Sequence, residues 1–228
     1  ALTNYRTTCT APSTFTINYN TDGGSPIAAT SGTTLPDPLP ITTKTGYTFA
    51  GWYTDSEFNT PATAGAAITQ NTTLYAKWTI NQYTVTLNPN YPNGKTGTFT
   101  YDAGELVDGN LVLTYDYNTA SMTIEDLYTS LTLDGYEFGG WYNAKGLNPG
   151  EVSGSKCTTT GTITGNKTYY AKWTQKVYTV TATSNNNNYG TVSVSGTTIT
   201  ASPKTGYRVS TTAPYTISPS GSATVTQN

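Results

Sequence analysis

The sequence contains no histidine. That removes the usual general base, the commonest metal ligand and every Ser-His or Cys-His nucleophile pair. Its two cysteines, Cys9 and Cys157, are too few for a disulfide scaffold or a thiolate zinc site. Charged residues make up 11% of the 228 positions, against about 25% in an ordinary soluble domain. With a net charge of −2 there is nothing to attract nucleic acid or an anionic membrane. Helix formers are scarce, and no apolar run approaches the roughly 18–20 residues that a spanning helix needs, so no direct membrane insertion is expected. The chain opens at Ala1 without a methionine or a signal peptide, which leads us to expect a mature form or a piece of a longer protein.

What is present points to strands. Thr is the commonest residue, and Thr and the 19 Tyr both favour extended backbone, while 22 Gly and 12 Pro supply turns. The length allows one large domain or two to three small ones. All four tryptophans fall in two duplicated pairs of segments. Gly46-Tyr47-Thr48-Phe49-Ala50-Gly51-Trp52-Tyr53 is followed by Leu74-Tyr75-Ala76-Lys77-Trp78, and Gly135-Tyr136-Glu137-Phe138-Gly139-Gly140-Trp141-Tyr142 by Tyr169-Tyr170-Ala171-Lys172-Trp173. We read Gly46, Tyr47, Phe49, Trp52, Tyr75 and Trp78, and their counterparts Gly135, Tyr136, Phe138, Trp141, Tyr170 and Trp173, as a structural core motif. Aromatic rings fill a small core that aliphatics alone would leave thin. Gly51 and Gly140 would allow a tight bend or a close backbone approach before each Trp. The Lys77 and Lys172 stems would lie over rings. The alternative is that the Trp faces are exposed and stack on sugars or a partner, but a ligand platform has no need of the distant closing Trp.

Taken in order, the chain restarts an alternating pattern three times, at Phe15–Tyr19, Tyr83–Leu87 and Tyr178–Ala182. Leu35-Pro36-Asp37-Pro38-Leu39-Pro40 has too many prolines for a helix interior or a central strand and is expected to be an extended connector. Thr123–Ser130 is the best helix candidate, with acids in the first turn and Ile124, Leu127 and Tyr128 on one face. Val192, Val194 and Ile199 suggest a hairpin, and Lys204-Thr205-Gly206-Tyr207 repeats Lys44–Tyr47 letter for letter, with no Trp after it. The organisation expected is 1–14 as a linker or the end of a preceding domain, 15–79 as a first unit, 80–174 as a second with a longer insert, and 175–228 as a divergent third.

The two-part signature, Gly-Tyr-x-Phe-x-Gly-Trp-Tyr followed by Tyr-Ala-Lys-Trp, resembles the Listeria–Bacteroides repeat, also called the internalin B-repeat family. The resemblance covers nearly everything from Phe15 onward. It implies a β-rich fold (α+β per repeat), with small β-grasp-like domains in an elongated beads-on-a-string array on bacterial surface proteins. It carries no catalytic residues and no cofactor. It implies a stalk or interaction module that is extracellular, on the cell surface or secreted, with an unspecified host or bacterial surface protein or glycan as partner. We expect a monomer for this segment.

Other residues leave alternatives open. Cys9 and Cys157 are either a disulfide, permissible outside the cytoplasm, or two unrelated thiols. Asp102, Glu105 and Asp108, and Glu125 with Asp126, are either a weak calcium site or a solvated surface, with spacing unlike an EF-hand loop. Tyr91, Tyr115, Tyr117 and Tyr189 would serve a rival reading, an accessory carbohydrate-binding region of a secreted enzyme. A hydrolase built on Glu105 and Asp108 is a remoter third reading. Asn71-Thr72-Thr73 and Asn166-Lys167-Thr168 have glycosylation spacing but carry no information in a bacterial protein.

Overall fold

The computed structural model describes residues 13–177, 182, 187–196 and 198–207. Cys9, the strand expected at Tyr178 and the turn at Ser220-Gly221 lie outside the described residues, apart from Ala182. The protein is β-rich, and one 3-10 turn is the only helix among the described residues. Contacts divide the chain into two compact units, Ala1–Leu133 with Phe138–Trp173, and Asp134–Glu137 with Thr174–Asn228.

The first unit holds both tryptophan-bearing repeats. Repeat 1 is built from β1 (Phe15–Asn20), β2 (Thr30–Gly32), β3 (Tyr47–Tyr53) and β4 (Thr72–Ile80), in the order β2-β1-β4-β3. The first and last strands, β1 and β4, are parallel neighbours at the centre of the sheet, and the outer pairs are antiparallel. Period-two alternation turns Ile17, Leu74 and Ala76 to one face, where they form a buried cluster with Leu35 and Trp52. Residues 35–40 form neither helix nor strand. They cover this core, with Leu35 3% exposed and its N–H bonded to the Ala66 carbonyl.

Phe49 and Trp52 are three residues apart, so a regular strand would send them to opposite faces. The β3–β4 register shifts between Phe49 and Gly51, pairing Phe49 with Trp78 and Trp52 with Ala76. This bulge, with Gly51 at φ +115°, brings both rings inward. A Cβ on Gly51 would meet no atom within 4 Å, so the glycine is required by its backbone conformation and not by a close approach.

Repeat 2 keeps this plan and extends it. Its strands are β5 (Gln82–Asn88), β6 (Thr98–Thr100), β7 (Glu105–Val107), β8 (Asn110–Asp116), β9 (Ser130–Thr132), β10 (Tyr136–Lys145), β11 (Val152–Cys157) and β12 (Lys167–Gln175). The main sheet runs β11-β10-β12-β5-β8-β7, again with the first and last strands, β5 and β12, parallel at its centre. β6 and β9 pair separately within the long insert. The helix expected over Thr123–Ser130 is a 3-10 turn over Ile124–Leu127, with no side-chain cap from Thr123. Tyr128 is already extended, and Ser130–Thr132 pairs with β6. Strand pairing and the burial of Ile124 outweigh a propensity that is marginal in so short a segment.

In the second unit, β13 (Gly190–Ser195) and β14 (Thr198–Pro203) form an antiparallel hairpin over the turn at Gly196. Lys204–Tyr207 makes the same turn as Lys44–Tyr47: in each, the Tyr N–H donates to the Lys carbonyl at 3.0 Å, with glycine at positive φ.

Candidate functional site

The feature built twice in full is the closure of each repeat. It starts where the first strand ends. In Asn20-Thr21-Asp22 the Asn20 side chain accepts the Asp22 N–H at 3.1 Å, and in Asn88-Pro89-Asn90 the Asn88 side chain accepts the Asn90 N–H at 2.7 Å. The third residue is left-handed in both, at φ 45° and 44°, a conformation that Asn and Asp tolerate. Each turn presents its middle carbonyl to the closing tryptophan. The Trp78 indole N–H donates to Thr21 at 3.0 Å, and the Trp173 indole N–H to Pro89 at 2.7 Å. The opposite end of each parallel pair is fastened too. The Asn71 side chain accepts the Thr16 N–H at 2.9 Å, and Asn166 that of Thr84 at the same distance.

Inside each closure stands a triad of rings. Phe49 lies 5.4 Å from Trp52 and 5.3 Å from Trp78, and Phe138 lies 5.6 Å from both Trp141 and Trp173. Trp52, Trp141 and Trp173 are buried, and Trp78 is half-buried. Trp52 donates to the Pro40 carbonyl at 2.7 Å. The Trp141 indole N–H is buried under Phe99 and Tyr128 and makes no well-formed hydrogen bond. Burial raises the pKa of the Tyr128 hydroxyl, and a loose interaction with this N–H draws it down against that rise. Tyr75 and Tyr170, each between two buried residues of its strand, lie half-buried on the opposite face. On that face Lys77 sits over the Tyr53 ring at 4.9 Å, and Lys172 over Tyr142 at 5.6 Å. Tyr169, which the motif reading passed over, is buried and donates to the Thr160 carbonyl at 3.0 Å. Burial raises its pKa above the usual 10.0, as it does for Tyr91, Tyr115 and Tyr128.

Gly46 and Gly135 hold corresponding places with different neighbours. A Cβ on Gly46 would fall 1.9 Å from the Tyr117 ring, whereas one on Gly135 would meet nothing within 4 Å. Tyr117 belongs to repeat 2, so Gly46 is where the two repeats meet. Tyr47 lies half-buried beside it, its ring 6.5 Å from that of Tyr117; Tyr136, the counterpart of Tyr47, is also half-buried. Asn81, the single residue between β4 and β5, donates its N–H to Gly46 and accepts the Tyr117 N–H and the Thr48 hydroxyl.

The carboxylates and tyrosines named as candidates do not assemble into a site among the described residues. Asp102, Glu105, Asp108, Glu125 and Asp126 are all exposed, and no three potential metal-ligating side chains converge among the described residues. Cys157 is a free thiol bonded to the Ser155 carbonyl, and Cys9 lies outside the described residues. Three of the four tyrosines expected to be exposed are not. Tyr91 stacks on Trp173 with its hydroxyl buried, and Tyr115 and Tyr117 are half-buried. Only Tyr189 is exposed, stacked on Tyr207 at 4.8 Å. The Asn-x-Asx turns and the two Asn clamps were missed by sequence reasoning. Their signal was present in the matched positions of Asn20 and Asn88, and of Asn71 and Asn166, once the repeats are laid over one another.

A family model described as the Listeria-Bacteroides repeat domain matches residues 15–77 and 83–172. A protein of Evansella cellulosilytica that carries the name Gly-rich membrane protein is 32% identical over 181 residues, 75% of this chain and 17% of that protein. Internalin H of Listeria monocytogenes is 32% identical over 181 residues, 74% of this chain and 27% of its own length. The chain thus spans well under a third of these relatives. No solved structure matches it.

Proposed function

The chain belongs to the Listeria-Bacteroides repeat domain family, and on that premise we propose that it is a non-catalytic segment of a bacterial surface protein, serving as stalk and interaction module outside the cell. The observation that carries this reading is the duplicated closure. Two repeats have the same parallel central pair, the same tryptophan-to-carbonyl bond and the same asparagine clamp, so the ordered chemistry of the chain goes into holding repeats together. Names of its relatives, a membrane protein and an internalin, support a surface location. Under this proposal residues 15–79, 80–174 and 175–228 are tandem β-grasp-like repeats in an elongated array, the last one divergent. Small-angle scattering that showed a compact globule would count against the array. The location is tested by labelling intact cells of the source bacterium with antibody against this chain. We expect surface staining that is lost after brief protease treatment of whole cells. Signal only after lysis would overturn the reading.

One observation favours a second reading. The exposed Tyr189–Tyr207 stack offers ring faces of the kind that bind sugars. A glycan array probed with the chain and with Tyr189→Ala tests it, and binding that Tyr189→Ala abolishes would favour it over a purely structural stalk.

A further inference from the structure

We propose that each tryptophan-bearing repeat is a force-bearing element whose first and last strands form a shear clamp. The inference deepens the stalk reading and rests on it for its purpose. In repeat 1 the chain enters through β1 and leaves through β4, which are parallel neighbours paired from Ile17↔Thr72 to Asn20↔Tyr75. In repeat 2 it enters through β5 and leaves through β12, paired from Val85↔Lys167 to Asn88↔Tyr170. Tension along the chain pulls the first strand toward its start and the last toward its end. For parallel neighbours these pulls are opposite and lie along the strand axes. The hydrogen bonds between them are evenly spaced and slanted, so they share the load and must break nearly together. An antiparallel pair pulled apart at one end yields one bond at a time.

Both repeated polar devices lie on this pair. Asn71 holds Thr16 at the start of β1, and Trp78 holds Thr21 just past its end. Asn166 and Trp173 do the same for β5 through Thr84 and Pro89. Leu74, Ala76, Val85, Leu87 and Ala171 cover the same strands with buried apolar surface, which keeps water from competing for the bonds. Repeat 1 passes into repeat 2 through Asn81 alone, whose N–H, carbonyl and side chain are all bonded. Force leaving β4 is therefore delivered directly to β5.

The test is single-molecule stretching of the whole chain in two geometries. Pulled from its termini, the protein should show two high-force rupture steps, one for each repeat. Handles attached instead at Thr48 and Thr79, exposed partners near one end of the antiparallel β3–β4 pair, should open repeat 1 at lower force. Asn71→Ala should lower one of the two terminal steps, and Asn166→Ala the other. Equal rupture forces in the two geometries would overturn the proposal, as would terminal steps that neither substitution moves. Forced unfolding follows the unfolding rate along the pulled coordinate and not equilibrium stability, so a mildly destabilised but folded variant still gives a readable result. The stalk reading fails separately: a chain found inside the cell that still resists shear would overturn that reading and leave the clamp standing.

Discussion

Trp52 and Trp141 occupy the same place in their repeats, yet they are held differently. Trp52 donates to the carbonyl of Pro40, on the proline-rich segment that crosses over the core of repeat 1. Trp141 makes no well-formed hydrogen bond, only a loose one to the Tyr128 hydroxyl, and is enclosed by Phe99, Tyr128 and Phe138, two of which come from the insert that repeat 1 lacks. Their closing partners, Trp78 and Trp173, are bonded alike, to the carbonyl two residues past the last apolar residue of the first strand. The closure is therefore the fixed part of the repeat, and length varies both between the two tryptophans, 26 residues apart in repeat 1 and 32 in repeat 2, and still more in the segment before the Gly-Trp. A longer insert supplies more aromatic cover in place of one well-formed hydrogen bond.

The largest effect expected is from removing either ring. Trp52→Ala and Trp141→Ala should each destabilise their own repeat by about 3–5 kcal/mol, read as separate shifts of two transitions in thermal or chemical unfolding. A folded Trp141→Ala protein with an unchanged profile would place its ring outside the core. The next comparison concerns the paired glycines. Gly46→Ala sets a methyl against the Tyr117 ring and also strains a backbone at φ +79°, whereas Gly135→Ala incurs only the strain of φ +73°. The first should cost about 2–4 kcal/mol, from overpacking and left-handed strain together, and the second about 1–2 kcal/mol. Adding Tyr117→Ala should bring the Gly46 variant down toward the Gly135 value. If the two glycine variants match without it, Tyr117 does not couple the repeats.

Much of this was open to sequence reasoning because alternation and duplication are local signals. β1, β5 and β8 lie where apolar and polar residues alternate, and the hairpin at Gly196 lies where two alternating runs flank a Ser-Gly. The helix expected at Thr123–Ser130 failed for a non-local reason: its last residues are claimed by β6, thirty residues earlier. Phe49 and Trp52 share a face only because of a bulge, which the period-two pattern cannot announce. Tyr75 and Tyr170, named with their motif, follow strand parity to the outer face, and parity read residue by residue would have chosen Tyr169. The carbonyl acceptors at Thr21, Pro40 and Pro89 have no side-chain signature at all.

A smaller effect sharpens the contrast between the two first tryptophans. Trp52→Phe removes a donor and leaves the Pro40 carbonyl without its partner, whereas Trp141→Phe removes an N–H that makes no well-formed hydrogen bond and only a loose interaction with the Tyr128 hydroxyl. Both lose similar ring volume, so the difference reports the hydrogen bond. Trp52→Phe should be the more destabilising by about 1–2 kcal/mol. Equal losses would mean that the Pro40 bond adds nothing to repeat 1.

The smallest expected effect is one of pH and separates the repeats by a single carboxylate. Asp55 accepts the backbone N–H groups of Asn59 and Thr60, at 3.0 and 2.7 Å, and these bonds hold its pKa below the usual 3.8. The corresponding position in repeat 2, two residues past Tyr142, is Ala144. A carboxylate with a lowered folded pKa contributes stability that is present above its unfolded value and is lost as the pH falls through the folded one. Repeat 1 should therefore lose a small increment below about pH 4 that Asp55→Asn removes, while the transition of repeat 2 is unaffected by that substitution. Asp55 is partly exposed, so solvent and salt screen the carboxylate, and the shift should be read as a difference between variants across a pH series. An acid profile that is the same with and without Asp55 would show that the turn from Asp55 to Thr60 is held by its backbone alone.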